Sequence, residues 1–370
     1  MLSNFNRDFP WKGPFVVILI ASLICIAAYW ISTYTQYTQQ IYCVQAYQLL
    51  KYGIIPRAYP LYPTFMAASL FVFGVTKYAF LLVPLLSIPA SAVLTYWLSL
   101  RIFKDRSRAL LSALVVASNP ALIWLGGRGM SEPLFTAMLV LTIIFLIKED
   151  ASPKRMFLVG VLSCLTLASK VAGLWLFAFI PVLIFLRKGS VKSILAFFGS
   201  VIVVLLLYRD YALGIPLGLG WLLHPPSVDS SLLPTSIPNI VVGYGILFAY
   251  CIPLLCPFLR SFLKRPNPRS SEGVVFYYAL SFLLFMTPYY IWDPFREVSL
   301  AGSNFARYTV AAVPLVAIFS DFSRKGKMAM LVAAVCVAIG TVLGLYLVCY
   351  GNIHARAALW DAFLAYVKTL

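Results

Sequence analysis

The sequence has little charge for its length, because Asp, Glu, Lys and Arg together make up 11% of 370 residues. Soluble proteins carry roughly 25% charged residues. Apolar residues reach 62%, and the mean hydropathy over the whole chain is +0.90. Runs of about 20 apolar residues, enough to cross a hydrocarbon core of about 30 Å, follow one another with short breaks. The composition excludes a soluble protein and predicts an all-α polytopic membrane protein with a single transmembrane domain, 1–370.

Acidic residues are scarcer than basic ones, with 12 Asp and Glu against 29 Lys and Arg. Of these basic residues, 19 fall in short breaks between apolar runs: 7–12, 101–108, 148–155, 187–192, 260–269 and 324–327. Cytoplasmic loops of membrane proteins are rich in Lys and Arg, so the excess charge reflects topology. Nucleic-acid binding is not expected, because the patches are short and lack interleaved aromatics that could stack on bases.

Metal-ligating residues are few and scattered. The seven cysteines form no CxxC pair, and His224 and His354 stand alone. Cysteines in apolar runs are typical of a packed core, so zinc or haem is not expected. Asp293 and Glu297 form the only close acidic pair in the predicted outer loops, and Arg296 lies beside them. No metal and no resident cofactor are therefore predicted.

With the basic breaks inside, the chain crosses the membrane about 11 times and its N-terminus is cytoplasmic. The predicted spans are 14–33, 78–100, 109–125, 133–147, 156–171, 172–186, 193–208, 240–259, 274–292, 308–322 and 328–350. The first is a membrane anchor, since no small-residue cleavage site follows it. Counting the apolar segment 62–75 as a crossing would put a basic break outside, so it is predicted to be an interfacial helix. The first outer loop, 34–61, and the long loop 209–239 lie on one side.

Glu132 is the first polar residue that needs an explanation. It stands in GRGMSEPLF, just before an apolar span, with Ser131 placed to cap a helix beginning at Pro133. A carboxylate in a first helical turn gains about 0.3–1 kcal/mol from the helix dipole, which alone could retain it. Binding or proton transfer is the other interpretation, and Arg128 offers a partner four residues earlier.

Several basic residues fall on the predicted outer side, where they should be scarce. Lys170, in LASKVAGLW, either snorkels outward or holds an anionic ligand, and the VAGL after it predicts a tight turn. Arg209 with Asp210 fits interfacial anchoring, as does Arg307 with Tyr308 in FARYTVAAVPL. A guanidinium also grips a lipid phosphate well. One shared anion would explain the whole set: Arg128, Lys170, Arg209, Arg296 and Arg307.

The order of these features resembles the GT-C superfamily of integral-membrane glycosyltransferases, in particular its mannosyltransferase branch. The resemblance covers most of the chain and rests on QAYQLLKYG, RAYPLYPTFMAASLFVFG, GRGMSEPLF, LYRDYALGIPLG and FARYTVAAVPL. It implies a GT-C-like helical bundle whose outer or lumenal cavity takes a polyprenyl-phosphate sugar, in a prokaryotic plasma membrane or the endoplasmic reticulum. Some members of the superfamily also use a divalent metal.

The sequence departs from this superfamily where its members carry a first-loop acid. Thr38 and Gln39 occupy that place, and no Asp or Glu lies between Asp8 and Asp105. The resemblance therefore moves the catalytic base elsewhere, to Glu132 first and to Asp210 second. If the chain is an enzyme, the positions of Arg307, Arg209, Lys170 and Arg128 suit them to hold the donor phosphate. The expected substrate-lining residues are Tyr59, Tyr62, Gln39 and Tyr308.

Three functions remain open on the sequence. The first is a glycosyltransferase that uses a polyprenyl-phosphate donor. The second is a catalytically inactive GT-C-like scaffold or binding subunit of a membrane complex, which the missing first-loop acid favours and which implies protein subunits as partners. The third is a transporter or flippase, which the crowding of polar loops on one face disfavours.

Overall fold

The computed structural model describes residues 12–31, 37–56, 59–148, 151–207, 258, 264, 266–292, 310–319 and 327–353. Regular structure in these ranges is helical throughout, as predicted. The helices are α1 Lys12–Ile31, α2 Tyr37–Tyr52, α3 Leu61–Phe73, α4 Lys77–Phe103, α5 Arg106–Ala117, α6 Pro120–Gly127, α7 Glu132–Leu146, α8 Pro153–Ser169, α9 Trp175–Leu186, α10 Val191–Leu207, α11 Ser271–Trp292, α12 Val313–Ala317 and α13 Lys327–Ile353.

Two helices of the described chain are long and apolar enough to cross a membrane by themselves, Gly13–Ile31 and Tyr78–Phe103. A third span results if α5 and α6, which bend by 44° at their junction, count together. The predicted span 109–125 is therefore not one continuous helix but the bent pair α5 and α6. The Asn119 side chain accepts a hydrogen bond from the Leu122 N–H at 3.0 Å and begins a new helix, and Pro120 cannot continue the old one. Shorter apolar helices make up most of the bundle, and the total of 11 crossings stays a prediction.

Helix α4 is the central element of the bundle and contacts α1, α3, α5, α6 and α7. It contains Pro89, which has no N–H to offer the Leu85 carbonyl one turn earlier. The Cys25 thiol of α1 donates to that carbonyl at 3.2 Å. An unsatisfied backbone group costs several kcal/mol in lipid, so the proline is tolerated where a neighbouring helix supplies the donor.

Basic side chains close the ends of several helices on one face of the bundle. Arg187 donates to the Leu146 carbonyl at the end of α7 at 3.0 Å, and Arg269 donates to the Leu186 carbonyl at the end of α9 at 2.8 Å. The Ser271 hydroxyl donates to Ile147 at 2.9 Å. The described parts of these basic breaks, 151–155, 187–192 and 266–271, therefore lie at the same end of the bundle.

The break at 104–108 joins the same face through an aromatic cluster. Arg108 donates to the Ile318 carbonyl at 2.8 Å. The neighbouring Phe319 ring lies 6.0 Å from Phe103 and 5.8 Å from Phe276, which is close to the start of α11. We call this side of the bundle, formed by 104–108, 151–155, 187–192 and 266–271, the basic face. The side of the membrane on which these breaks lie stays a prediction.

Helix α3 covers most of the predicted interfacial segment 62–75. Met66 and Leu70 are buried against α2, whereas Phe71 is 79% exposed and Val72 is 68% exposed. Such an apolar outer surface fits contact with lipid. Its position at the membrane interface stays a prediction.

We predict that Gly127→Ala destabilises the bundle. A Cβ atom at Gly127 would lie 2.8 Å from a methyl group of Val348 in α13, a β-branched side chain with little freedom to move. Overpacking of this kind costs about 1–3 kcal/mol. Gly199→Ala is the matched control, because a Cβ at Gly199 meets nothing within 4 Å. Thermal unfolding of the purified protein in detergent should show a lower Tm for Gly127→Ala and an unchanged or higher Tm for Gly199→Ala. Equal Tm values would contradict the close α6–α13 contact.

Candidate functional site

The candidate site lies where α7 begins, away from the basic face. Helix α7 runs from Glu132 to Leu146, and its Leu146 end reaches the basic face. At a rise of 1.5 Å per residue, Glu132 is about 21 Å from that face. The predicted Ser131 side-chain cap is wrong, because Ser131 has helical backbone angles and its side chain makes no capping bond. The Ser131 Oγ instead lies 3.5 Å from the Tyr42 hydroxyl of α2.

Glu132 and Lys170 form a buried ion pair. The Lys170 Nζ lies 2.5 Å from the Glu132 Oε1, and the two side chains are 8% and 1% exposed, respectively. The outward snorkelling considered for Lys170 is therefore wrong, and the anion beside its ammonium is an internal carboxylate. The Arg128 guanidinium, considered above as a partner for Glu132, stacks over the Trp124 ring at 4.7 Å.

The tight turn after α8 determines the position of Lys170. Its backbone is extended, with φ −167° and ψ 145°, and the predicted VAGL turn is a short 3-10 helix, Val171–Leu174. The Gly173 N–H donates to the Lys170 carbonyl at 3.0 Å. A Cβ at Gly173 would lie 2.7 Å from the backbone nitrogen of Leu167, so only glycine lets the turn fold back on α8. This fold directs the lysine toward α7.

Two tyrosines hold the segment before Glu132, Tyr42 of α2 and Tyr62 of α3. The Tyr62 hydroxyl donates to the Gly129 carbonyl at 2.6 Å, and Gly129 has φ +67°, which favours glycine. The Tyr42 and Tyr62 rings pack edge to face, with centroids 5.0 Å apart. Helices α2 and α3 therefore clamp the loop that begins α7, and Tyr62 is completely buried.

The other predicted site residues fall into two groups. Tyr59 precedes α3 with φ 51°, and Gln39 belongs to the first turns of α2. Asp210, Arg209, Arg307 and Tyr308 lie outside the described residues. Tyr42, Gly129 and Gly173 were not predicted as site residues, because neither a tyrosine nor a glycine within an apolar run carries a local signal of long-range contact.

The chemistry available at this site is that of a carboxylate beside an ammonium group. A carboxylate can accept a proton from a hydroxyl group. An ammonium has three N–H donors, so Lys170 can hold Glu132 and a second anion together. In the described part of the chain, no three His, Cys, Asp or Glu side chains come close enough to hold a metal ion.

Comparison with solved structures identifies the fold. ArnT from Cupriavidus metallidurans bound to undecaprenyl phosphate matches 90% of this chain and 64% of its own, with TM-score 0.60 and 11% identity. Its apo state matches 88% and 62% of the two chains, with TM-score 0.62 and 13% identity. An Archaeoglobus fulgidus oligosaccharyltransferase tethered to an acceptor peptide matches 97% of this chain and 57% of its own, with TM-score 0.60 and 14% identity.

These matches show that the chain has the GT-C fold, as the resemblance in sequence predicted. The chain spans about three fifths of the length of the structures it matches. No protein-family model matches the sequence, and no curated protein is similar to it.

We predict strong energetic coupling between Glu132 and Lys170. Removing one partner of a buried ion pair leaves an uncompensated charge and costs about 3–5 kcal/mol. Glu132→Gln and Lys170→Met should each lower the free energy of unfolding by that amount. The free energy of unfolding of the double variant should fall by less than the sum of the two single-variant losses. The difference should be at least ~1 kcal/mol.

Unfolding in detergent measures this double-mutant cycle. Glu272→Gln is the control, because Glu272 lies in the first turn of α11, as Glu132 does in α7, but near the basic face. It should behave as the wild type does. If the double variant instead loses the full sum of the two single-variant losses, the two side chains do not interact.

Proposed function

We propose that this chain is a membrane glycosyltransferase that transfers a sugar from a polyprenyl-phosphate donor to an acceptor hydroxyl at the outer or lumenal face. The observation that carries the proposal is the buried Glu132–Lys170 pair within a GT-C fold. The ArnT structure with the same fold was determined with undecaprenyl phosphate bound. Ionisable groups buried in membrane proteins are costly and usually functional, which supports an active role for this pair. Mannose is the sugar that the sequence resemblance favours.

In the proposed reaction, Lys170 holds the donor phosphate and Glu132 is the base. The Glu132 carboxylate takes the proton from the acceptor hydroxyl, and the acceptor oxygen forms a bond to the anomeric carbon. The bond between that carbon and the phosphate oxygen breaks, and its electron pair leaves with the polyprenyl phosphate. The Lys170 ammonium stabilises the charge on the leaving group, an interaction that is stronger in a site without water than in bulk.

The pair also explains how a base can persist in an apolar interior. Without a donor, Lys170 neutralises the Glu132 carboxylate and keeps it ionised. When a phosphate arrives, it competes for the same ammonium, and the carboxylate becomes more available to the acceptor. The base is thus activated where the donor is bound.

Further residues extend the proposed site. Arg128, Arg209 and Arg307 would add positive charge around the phosphate. Asp210 is the second candidate base. The proposed lining of the sugar pocket comprises Tyr59, Tyr62, Gln39 and Tyr308.

We also propose a topology. Positive residues favour the cytoplasmic side, so the basic face lies in the cytoplasm and the Glu132–Lys170 pair near the outer or lumenal side. The membrane is a prokaryotic plasma membrane or the endoplasmic reticulum membrane, with the N-terminus in the cytoplasm.

One observation favours a second function. Both members of the pair are buried and bound to each other, and the first outer loop has no acid. An ion pair that only locks α7 to α8 would fit a GT-C-like scaffold or binding subunit that has lost catalysis. Under this alternative, membrane protein subunits are the expected partners.

Turnover distinguishes the two functions. We expect purified wild type in a bilayer to release polyprenyl phosphate from the host's lipid-linked sugars when acceptors are supplied. Glu132→Gln should lower this rate by about 10² or more, because general-base catalysis contributes roughly 10²–10⁴-fold. The Glu132→Gln/Lys170→Met double variant leaves neither charge unpaired, so we expect it to remain folded, and its Tm checks this. Inactivity of the folded double variant cannot then be attributed to unfolding. Glu272→Gln should retain full activity.

No release by folded wild type would refute the transferase and favour the inactive subunit. Release of polyprenyl phosphate that persists in Glu132→Gln and in the double variant would support the transferase function but exclude Glu132 as its base. Asp210 would then be the remaining candidate.

The topology makes a separate prediction. In a cysteine-free background, Lys188→Cys, on the basic face, should react with an impermeant thiol reagent only from the cytoplasmic side. Ile54→Cys, at an exposed position after α2, should react only from the opposite side. Labelling of both from one side would contradict the proposed topology.

A further inference from the structure

An apolar groove lies between α9 and α11, separate from the Glu132–Lys170 pair. It has a volume of about 360 Å³. Side chains from one face of each helix line it, including Phe179, Val182 and Leu186 of α9 and Val274, Tyr277 and Leu284 of α11. Val182 is 57% exposed and Leu284 is 63% exposed, so the groove is open toward the surroundings of the bundle.

The length of the groove matches one leaflet of a membrane. Val274 and Leu284 are ten residues apart on α11, which corresponds to about 15 Å along the helix. The hydrocarbon core of a bilayer is about 30 Å thick, so the groove extends over roughly half of it. It starts beside Leu186 and Pro268 at the basic face and follows α9 and α11 away from that face. This is the depth that a single acyl chain of the adjoining leaflet occupies.

Positive charge surrounds the end of the groove at the basic face. Arg269 follows Pro268, which lines the groove, and its Nε donates to the carbonyl of Leu186, another lining residue, at 2.8 Å. Lys188 lies in the turn after α9, and both basic side chains are exposed. Each basic residue near a membrane surface contributes about 1 kcal/mol of attraction to anionic lipid headgroups, a preference that a zwitterionic lipid does not share.

The Ser281 hydroxyl inside the groove already has a hydrogen-bond partner. The Trp175 Nε1 donates to the Ser281 Oγ at 3.0 Å, and Ser281 lines the groove. An occupant therefore needs no polar atom at this depth. The groove fits a molecule with an apolar body and a negative charge at one end only.

We propose that this groove is a binding site for an anionic phospholipid of the leaflet at the basic face. One acyl chain lies between α9 and α11, and the negatively charged phosphate of the headgroup contacts Arg269 and Lys188. The lipid fills the space between the two helices along the half of the bundle opposite the candidate catalytic site. This site is independent of the proposed transferase activity, since it shares no residue with the Glu132–Lys170 pair.

Native mass spectrometry of the purified full chain tests this proposal. Wild type is titrated with phosphatidylglycerol and with phosphatidylcholine of the same acyl chains. We expect tighter binding of phosphatidylglycerol. Lys188→Gln and Arg269→Gln should each reduce that preference by about fivefold, the effect of one basic residue near the headgroup. Val182→Trp should fill the groove and weaken the binding of both lipids.

Two controls separate the groove from the rest of the surface. Arg101→Gln removes an exposed charge at the end of α4, and Leu195→Trp places the same indole on an exposed position of α10. Both should bind lipid as wild type does. Equal affinity for the two lipids, or reductions as large in the controls, would refute the proposal. A dimer that Val182→Trp dissociates would also refute it, because a second copy would then occupy the groove. Lipid binding that Val182→Trp leaves unchanged would refute it as well.

Discussion

The structure depends on one constraint: a polar group inside a membrane has no water to bind, so the protein must supply its partner. The constraint explains why the Cys25 thiol lies against the Leu85 carbonyl that Pro89 leaves without a donor. At the basic face, Arg187 in the turn after α9 likewise donates to the carbonyl at the end of α7. Each partner comes from a different element of the chain, so satisfying the backbone also fixes how the helices pack.

The constraint is most severe for full charges, and Glu132 and Lys170 meet it by pairing. Their pairing joins the start of α7 to the end of α8, whereas the basic side chains meet at the other end of α7. Within the residues that the structure describes, the bundle therefore has a face rich in exposed cations and, about 21 Å away, a concealed pair of opposite charges.

The sequence predicted most helices, since spans such as 14–33 and 133–147 follow directly from apolar runs, and it predicted the turn after Lys170. It did not predict the break at Asn119, because the apolar pattern continues through it and only the capping amide reveals the new helix. Glu132 and Lys170 were each predicted as site residues. Their pairing was not predicted, because 38 residues separate them and no local pattern encodes which buried charges meet. The clamp by Tyr42 and Tyr62 was missed for the same reason.

The most direct test of this account is an experimental structure of the full chain with a polyprenyl phosphate bound. The account predicts that the lipid phosphate lies within hydrogen-bond distance of the Lys170 Nζ, and that the 2.5 Å contact between this nitrogen and the Glu132 Oε1 lengthens or is shared. A phosphate bound elsewhere, with the ion pair unchanged and closed to the lipid, would contradict it and leave the pair as a purely structural lock between α7 and α8.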